Sequence, residues 1–259
     1  MTPVALTVAG SDPSGGAGIQ ADLKTFHRFG AYGEAVITLI TVQNTRSVER
    51  VEILDPELVA AQIRAVLADI PPRAAKTGAL GNAAVIEAVA RELAACTFPL
   101  IVDPVMISKH GTRLMRDEDI EALRRYLLPM TALLTPNLPE AAALSGLPVD
   151  SVEAMRDPER ILQGLGCRAV LVKGGHLAGP SAIDVLLDES GGIHELPSPR
   201  LNTVHTHGTG CTYSSAITAG LASGLRLYEA VFQAKRFIAR AIETNPGLGG
   251  GSGPVNHFA

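Results

Sequence analysis

The chain of 259 residues has no tryptophan, and aromatic residues make up only 4% of it. A core therefore has to be packed mainly from Ala, Val, Leu and Ile, and a hydrophobic content of 46% against 19% charged residues excludes a disordered chain. Cysteine is scarce too. Cys96, Cys167 and Cys211 are odd in number, far apart and without a C-x-x-C pair, which argues against a disulfide framework and a zinc site and favours a reducing compartment. Positive charge is nowhere concentrated: the 22 basic residues, 17 Arg and 5 Lys, are scattered and the net charge is −4. Nucleic acid is therefore not an expected partner, because phosphate-backbone binding needs a positive face. Mean hydropathy is +0.21, yet no apolar run approaches the roughly 18 residues of a membrane span, and no basic n-region with an apolar stretch opens the chain. These absences lead to the expectation of a soluble, untargeted protein with no membrane partner.

What is present is an alternation. Apolar runs of strand length alternate with amphipathic stretches of helix length, the pattern of βα units around a mostly parallel sheet. Strands are expected at Val4–Val8, Ala35–Thr41, Val48–Leu54, Ala74–Thr77, Leu100–Val102, Ala132–Thr135 and Ala169–Val172. Helices are expected at Ile19–Phe29, from Pro56 with Asp55 as N-cap, at Ala83–Ala95, Asp117–Tyr126 and Leu138–Leu144. Ile183–Asp188 and Gly192–Leu196 read as a hairpin, which puts antiparallel strands at one sheet edge. After Leu201 the chain is expected to be helical to near Thr244, and the glycine-rich Gly247–Gly253 is a loop after which Pro254–Phe258 can dock back on the body. No linker or fixed-period repeat divides the chain, so a single domain over 1–259 is the economical reading.

The most informative segment is Asn202–Ala216, N-T-V-H-T-H-G-T-G-C-T-Y-S-S-A. Gly208 and Gly210 permit a tight turn whose N–H groups converge on one anion, and the helix that follows adds its positive dipole end. Cys211 sits at that helix start, where the same field is expected to lower its thiol pKa. A buried, inert cysteine beside a structural turn is the plainer reading of the same residues. The Walker pattern G-x-x-x-x-G-K-[ST] is absent, which excludes a P-loop kinase. Gly16–Ala21 matches a dinucleotide fingerprint, but Gly10–Gly15 intervenes after the strand, a wide loop where that fold requires a tight turn. Polar groups collect at three other strand ends: Asp103, Asn137 with Glu140, and Lys173. Two carboxylates, an amide, a lysine and an anion-binding loop make up a kit for phosphoryl transfer.

These residues also carry a resemblance. A-G-S-D-P-S-G-G-A-G-I-Q-A-D-L-K at Ala9–Lys24, V-Q-N-T at Val42–Thr45, K-T-G at Lys76–Gly78 and D-P-V-M at Asp103–Met106 open a series of motifs. It continues with T-P-N-L-P-E-A at Thr135–Ala141, V-K-G-G-H at Val172–His176, H-G-T-G-C-T at His207–Thr212 and G-P-V-N-H-F at Gly253–Phe258. Over nearly its whole length the chain resembles the hydroxymethylpyrimidine/phosphomethylpyrimidine kinases of thiamine biosynthesis, within the ribokinase-like superfamily. The resemblance implies a three-layer α/β/α ribokinase-like fold with a mostly parallel central sheet, and a cytoplasmic homodimer. It implies ATP- and Mg2+-dependent phosphorylation of 4-amino-5-hydroxymethyl-2-methylpyrimidine and then of its monophosphate.

By the same pattern Gly208, Thr209, Gly210 and Cys211 form the anion hole, Cys211 is the general base, and Lys173 neutralises the transferring phosphate. Asp103, Asn137 and Glu140 hold the metal directly or through waters. Gln43 reads the pyrimidine edge, with Gly10, Ala17, Ala79 and Val105 around the ring. Pro13 stands where the family usually has Ser, and Ala79 where it usually has Met, which thins one wall of the pocket. The related pyridoxal kinases act on a similar hydroxymethylated ring, so a pyridoxal or pyridoxine kinase, or a kinase of both rings, is the alternative. From another class, Cys211 with His205 or His207 and Asp184 would make a covalent hydrolase, and a nucleotide-binding regulator without turnover is a further alternative.

Overall fold

The computed structural model describes residues 2–107, 115–157, 165–175, 177 and 179–259; the motif residue His176 lies outside them. In β1 (Val4–Ser11) every residue from Ala5 to Gly10 is buried, the continuous burial of a strand covered on both faces. β1 pairs in parallel with β2 (Tyr32–Gln43) and β4 (Ala74–Thr77). The parallel run continues through β5 (Leu100–Val102), β6 (Leu133–Leu134) and β7 (Val170–Val172). β8 (Ser181–Leu187) and β9 (Ile193–Pro199) form the expected antiparallel hairpin beyond β7.

The opposite edge differs from the sequence reading. β3 (Val48–Ile53) runs antiparallel to β2, so both edges of the nine-stranded sheet, β3-β2-β1-β4-β5-β6-β7-β8-β9, are antiparallel. The cause is local: Asn44 Oδ1 accepts the N–H groups of Arg46 and Ser47 at 2.8 and 3.1 Å, a side-chain turn that reverses the chain.

Period two assigns the layers. Leu100, Val102, Val170 and Val172 join the core beneath α2 (Pro56–Asp69), α3 (Ala83–Leu93) and α5 (Leu138–Ser145). Ile101 and Leu171 point the other way, into a core with α7 (Thr209–Ala222) and α8 (Leu227–Glu243). Against α7 lies α1 (Gly18–Arg28). The result is a three-layer α/β/α fold. Asp55 caps α2 by accepting Glu57 N and Leu58 N at 3.0 and 3.2 Å, with Pro56 in the first turn.

Three departures concern helices. α4 is α-helical only over Asp117–Ala122 and continues as a π turn from Leu123 to Leu127. A short α6 (Val152–Met155), capped by Ser151 Oγ on Ala154 N at 3.2 Å, has no counterpart in the sequence reading. The chain after Leu201 is loop as far as Gly208 and becomes helical only at Thr209. The tail does dock: His207 N donates to Gly253 O at 3.0 Å and Asn256 N to Ala241 O at 2.9 Å. Among the described residues no helix is long and apolar enough to cross a membrane.

Candidate active site

Parallel strands end on one edge of the sheet, so the residues that follow β1, β4, β5, β6 and β7 meet there, beside the N-terminus of α7. They line one cavity of about 770 Å³. All thirteen residues that the kinase resemblance assigns to the site border it: Gly10, Ala17, Gln43, Ala79, Asp103, Val105, Asn137, Glu140, Lys173, Gly208, Thr209, Gly210 and Cys211.

One end is built for an anion. Gly208 caps α7 at φ +76°, and a Cβ there would overlap the Gly16 carbonyl oxygen. Among the described residues no side chain caps the helix; Thr209 N turns to Thr206 O at 3.3 Å, and the positive end of the dipole borders the cavity at Gly210 and Cys211. Lys173 Nζ lies 2.8 Å from Asp103 Oδ1. A Cβ on Gly210 would sit 3.3 Å from Lys173 Nζ and 3.5 Å from Asp103 Oδ2, so the bare glycine keeps both charges open to the helix end. Burial pulls the Lys173 pKa down, but Asp103 and Glu140 outweigh it and the ammonium is held above its usual range.

Two supports of this end escaped the sequence reading. Asp184, pinned by Lys235 Nζ at 2.7 Å, accepts Gly174 N at 3.0 Å and so fixes the turn that carries Lys173. Behind α7, Lys76 and Asp22 form an ion pair of which nothing is exposed.

Asn137 and Glu140 act on each other. Asn137 Oδ1 accepts Glu140 N at 2.9 Å and Glu140 Oε2 accepts Asn137 N at 2.8 Å, a reciprocal cap on α5. This cap engages the Asn137 oxygen and one oxygen of Glu140, and leaves the Asn137 amino group to offer a ligand. Burial, with the Asp103 charge adding to it, raises Glu140 to about 7 against the pull of Lys173.

Cys211 departs from expectation. It lies half-buried in the cavity, and desolvation pushes its thiol up to about 11, with Asp22 and Asp103 adding to the rise and Lys76 and the Gly18 N–H opposing it. The field of a helix start does not overcome burial between two carboxylates. The hydrolase arrangement is not assembled either. Asp184 is engaged by Lys235, His207 Nε2 lies 2.7 Å from Asp12, and His205 Nδ1 accepts Gly253 N at 3.2 Å.

The other end of the cavity is walled by Gly10, Leu39 and Gln43. A Cβ on Gly10 would lie 2.5 Å from Leu39 Cδ1, so only glycine lets this wall close. Asp12 Oδ2 accepts Ala17 N and Ser14 Oγ, each at 2.9 Å, which holds the Gly10–Gly18 loop over the cavity. Gln43 approaches His207 Nε2 at 3.2 Å. Asp12 and His207 lie within quoted motifs, but no spacing marks them as partners.

Comparison with known proteins agrees with this geometry. A family model described as phosphomethylpyrimidine kinase matches residues 12–256. The hydroxymethylpyrimidine/phosphomethylpyrimidine kinase of Streptomyces coelicolor is 48% identical, over 98% of this chain and 94% of its own. That of Bacillus subtilis is 44% identical over the same shares. Among solved structures, an ADP complex of Bacillus subtilis pyridoxal kinase superposes with a TM-score of 0.92 at 38% identity, covering 100% of this chain and 98% of its own. Phosphomethylpyrimidine kinase from Clostridium difficile superposes with a TM-score of 0.81 at 45% identity, covering 92% and 99%. With a family model matched over nearly its whole length and relatives 44–48% identical to it, the chain belongs to the phosphomethylpyrimidine kinase family.

Proposed function

We propose that this chain, as one domain over 1–259, transfers the γ-phosphoryl group of ATP to the hydroxymethyl oxygen of 4-amino-5-hydroxymethyl-2-methylpyrimidine and then to the resulting monophosphate. The observation that carries the reading is that Gln43 and the Gly10 wall share one cavity with Lys173 and the Gly208–Cys211 helix start. A bound ring would thereby place its alcohol against the phosphate site.

Phosphoryl transfer is loose, with charge spread over the equatorial oxygens, so catalysis is positioning plus charge stabilisation. The N–H groups after Gly208 and the Lys173 ammonium would hold those oxygens. Cys211 would take the alcohol proton as the oxygen–phosphorus bond forms and ADP leaves. A thiol held near 11 is seldom ionised at neutral pH, but as thiolate it is a strong base. Mg2+ favours hard oxygens and is commonly held by one or two carboxylates together with substrate phosphates. Asp103 and Glu140 suit that role, and Ser214 Oγ is 3.3 Å from Asp103 Oδ2. Bound there, the ion would neutralise nucleotide charge.

Purified protein with ATP and magnesium should phosphorylate both the alcohol and its monophosphate; absence of both products sinks the reading. A pyridoxal or dual-specificity kinase is favoured by the likeness to pyridoxal kinase and by the small Ala79 wall. The ratio of kcat/KM for the two rings decides between them. A homodimer accords with the half-exposed Ile40 and Val42 on β2, next to the edge strand β3, and the free thiols of Cys96, Cys167 and Cys211 suit a reducing cytoplasm.

A further inference from the structure

His207 Nε2 faces two groups at once: Asp12 Oδ2 at 2.7 Å and the Gln43 terminus placed as Nε2 at 3.2 Å. His207 and Asp12 are each only 3% exposed. Burial alone would raise the Asp12 pKa, but the bonds from His207 and Ser14 outweigh it and hold the carboxyl below its usual value. Asp12 is therefore a carboxylate, which only accepts. Its remaining contacts, from Ser14 N, Ser14 Oγ and Ala17 N at 2.9 Å each, are all with donors. His207 Nε2 must then carry a hydrogen and give it to Asp12. A nitrogen in that state cannot accept from the Gln43 amino group, and two N–H groups opposed at this distance repel.

The two ends of an amide have nearly the same shape, and the bonding around it decides which is which. Turned by half a revolution, Gln43 sets Oε1 against the one His207 Nε2–H, which it then shares with Asp12 as a three-centre bond with Asp12 the nearer acceptor. Among the described residues His207 is the sole hydrogen-bond partner of the Gln43 side chain, so the amino end is the one left for a ligand. The imidazole itself is held. A Cβ on Gly16 would overlap its ring, and its backbone is clamped by His207 N to Gly253 O at 3.0 Å and Val255 N to His207 O at 3.3 Å.

We propose that His207 is a positioning residue for ring recognition: locked by Asp12, it holds the Gln43 amide with its oxygen inward and its amino group toward the cavity. The site thereby selects a heteroaromatic ring that turns a hydrogen-bond acceptor to Gln43. A ring nitrogen beside an exocyclic amine meets this demand twice, since the amine can reach the second lone pair of Oε1. The proposal rests on the reading of Gln43 as the ring-contacting residue.

The test is a double-mutant cycle read in KM for hydroxymethylpyrimidine and, separately, for ATP, using Gln43→Ala, His207→Ala and both together. Each single change should raise the pyrimidine KM about tenfold, the scale of one hydrogen bond, and leave the ATP KM within about twofold. The double variant should be no worse than Gln43→Ala, since without the amide there is nothing to orient. Losses that multiply in the double variant overturn the proposal alone, whereas an unchanged pyrimidine KM in Gln43→Ala overturns the ring-reading role beneath it as well. Gln43→Glu is a check that spares His207. It keeps an acceptor for the imidazole and removes the donor to the ring, so its pyrimidine KM should rise at least about tenfold. A wild-type value there overturns the amide orientation.

Discussion

Lys76 Nζ lies 3.0 Å from both carboxylate oxygens of Asp22, and neither side chain has any exposed surface. Asp22 also accepts Thr7 Oγ1 at 2.6 Å and Ser215 Oγ at 2.5 Å, so β1, β4, α1 and α7 converge on one carboxylate. Ser215 is one helical turn beyond Cys211, which sets this hub directly behind the proposed base. Removing one partner strands the other charge away from water, a loss of about 3–5 kcal/mol for a buried pair. Lys76→Met and Asp22→Asn should both be destabilised on that scale in urea unfolding. Their effects on the thiol should be opposite. Loss of the Lys76 charge raises the Cys211 pKa and loss of the Asp22 charge lowers it, read as the pH dependence of alkylation at Cys211. Shifts of one sign in both variants would show that the hub acts on the thiol through packing and not through charge.

Cys211 itself is to be tested by rate. Because burial pushes its thiol up to about 11, the reactive thiolate fraction grows tenfold per pH unit below that value. If proton acceptance by the thiolate limits turnover, log kcat should climb through pH 7 to 9 without a plateau. Cys211→Ala should cut kcat by about 10² to 10⁴, the usual worth of a general base, and abolish that climb. ATP affinity should stay near wild type, as measured by calorimetry. A kcat that survives in Cys211→Ala removes the thiol from the mechanism.

Some of this site was legible in the sequence and some was not, for physical reasons. Asp103 and Lys173 each follow a short apolar run, so a strand-end position could be read directly. The spacing of Asn137 and Glu140 correctly placed them on one helix turn, but the reciprocal cap that employs them was not visible. Asp12 and His207 are 195 residues apart and Lys76 and Asp22 are 54 apart, so only the folded sheet pairs them. The direction of the Cys211 shift also eluded a local reading, because a helix start is visible in sequence whereas burial between Asp22 and Asp103 is not. The antiparallel β3 depended on one side-chain turn at Asn44, a short-range event that strand patterning does not register.

Glu34 offers a test remote from the site. It is 9% exposed on β2, its Oε2 has no hydrogen-bond partner among the described residues, and burial together with Asp69 raises it to about 7. Its ordinary value is 4.5, so between that pH and about 7 the folded state binds more protons than the unfolded one. Stability from this group is thus present at the acid end and is lost as pH rises through the window. Glu34→Gln should remove this contribution to the slope and leave the protein more stable than wild type at pH 8. Denaturant midpoints at pH 5, 6, 7 and 8 measure it, and parallel curves for the two proteins would show that Glu34 titrates normally.

Gly210→Ala separates folding from catalysis. Gly210 lies inside the first turn of α7 and its φ is not positive, so alanine fits the backbone. In a helix interior, alanine is favoured over glycine by about 0.5–1 kcal/mol. The added methyl, however, would stand 3.3 Å from Lys173 Nζ and 3.5 Å from Asp103 Oδ2, in the gap that the anion hole requires. Lysine is flexible and yields first, which draws its ammonium away from the transferring phosphate. The variant should therefore match or exceed wild type in thermal stability while kcat falls about a hundredfold to a thousandfold, the range for losing one stabilising group at a developing charge. Equal loss of stability and activity would mean that the glycine serves helix packing. Unchanged activity would mean that phosphate does not pass between Gly210 and Lys173.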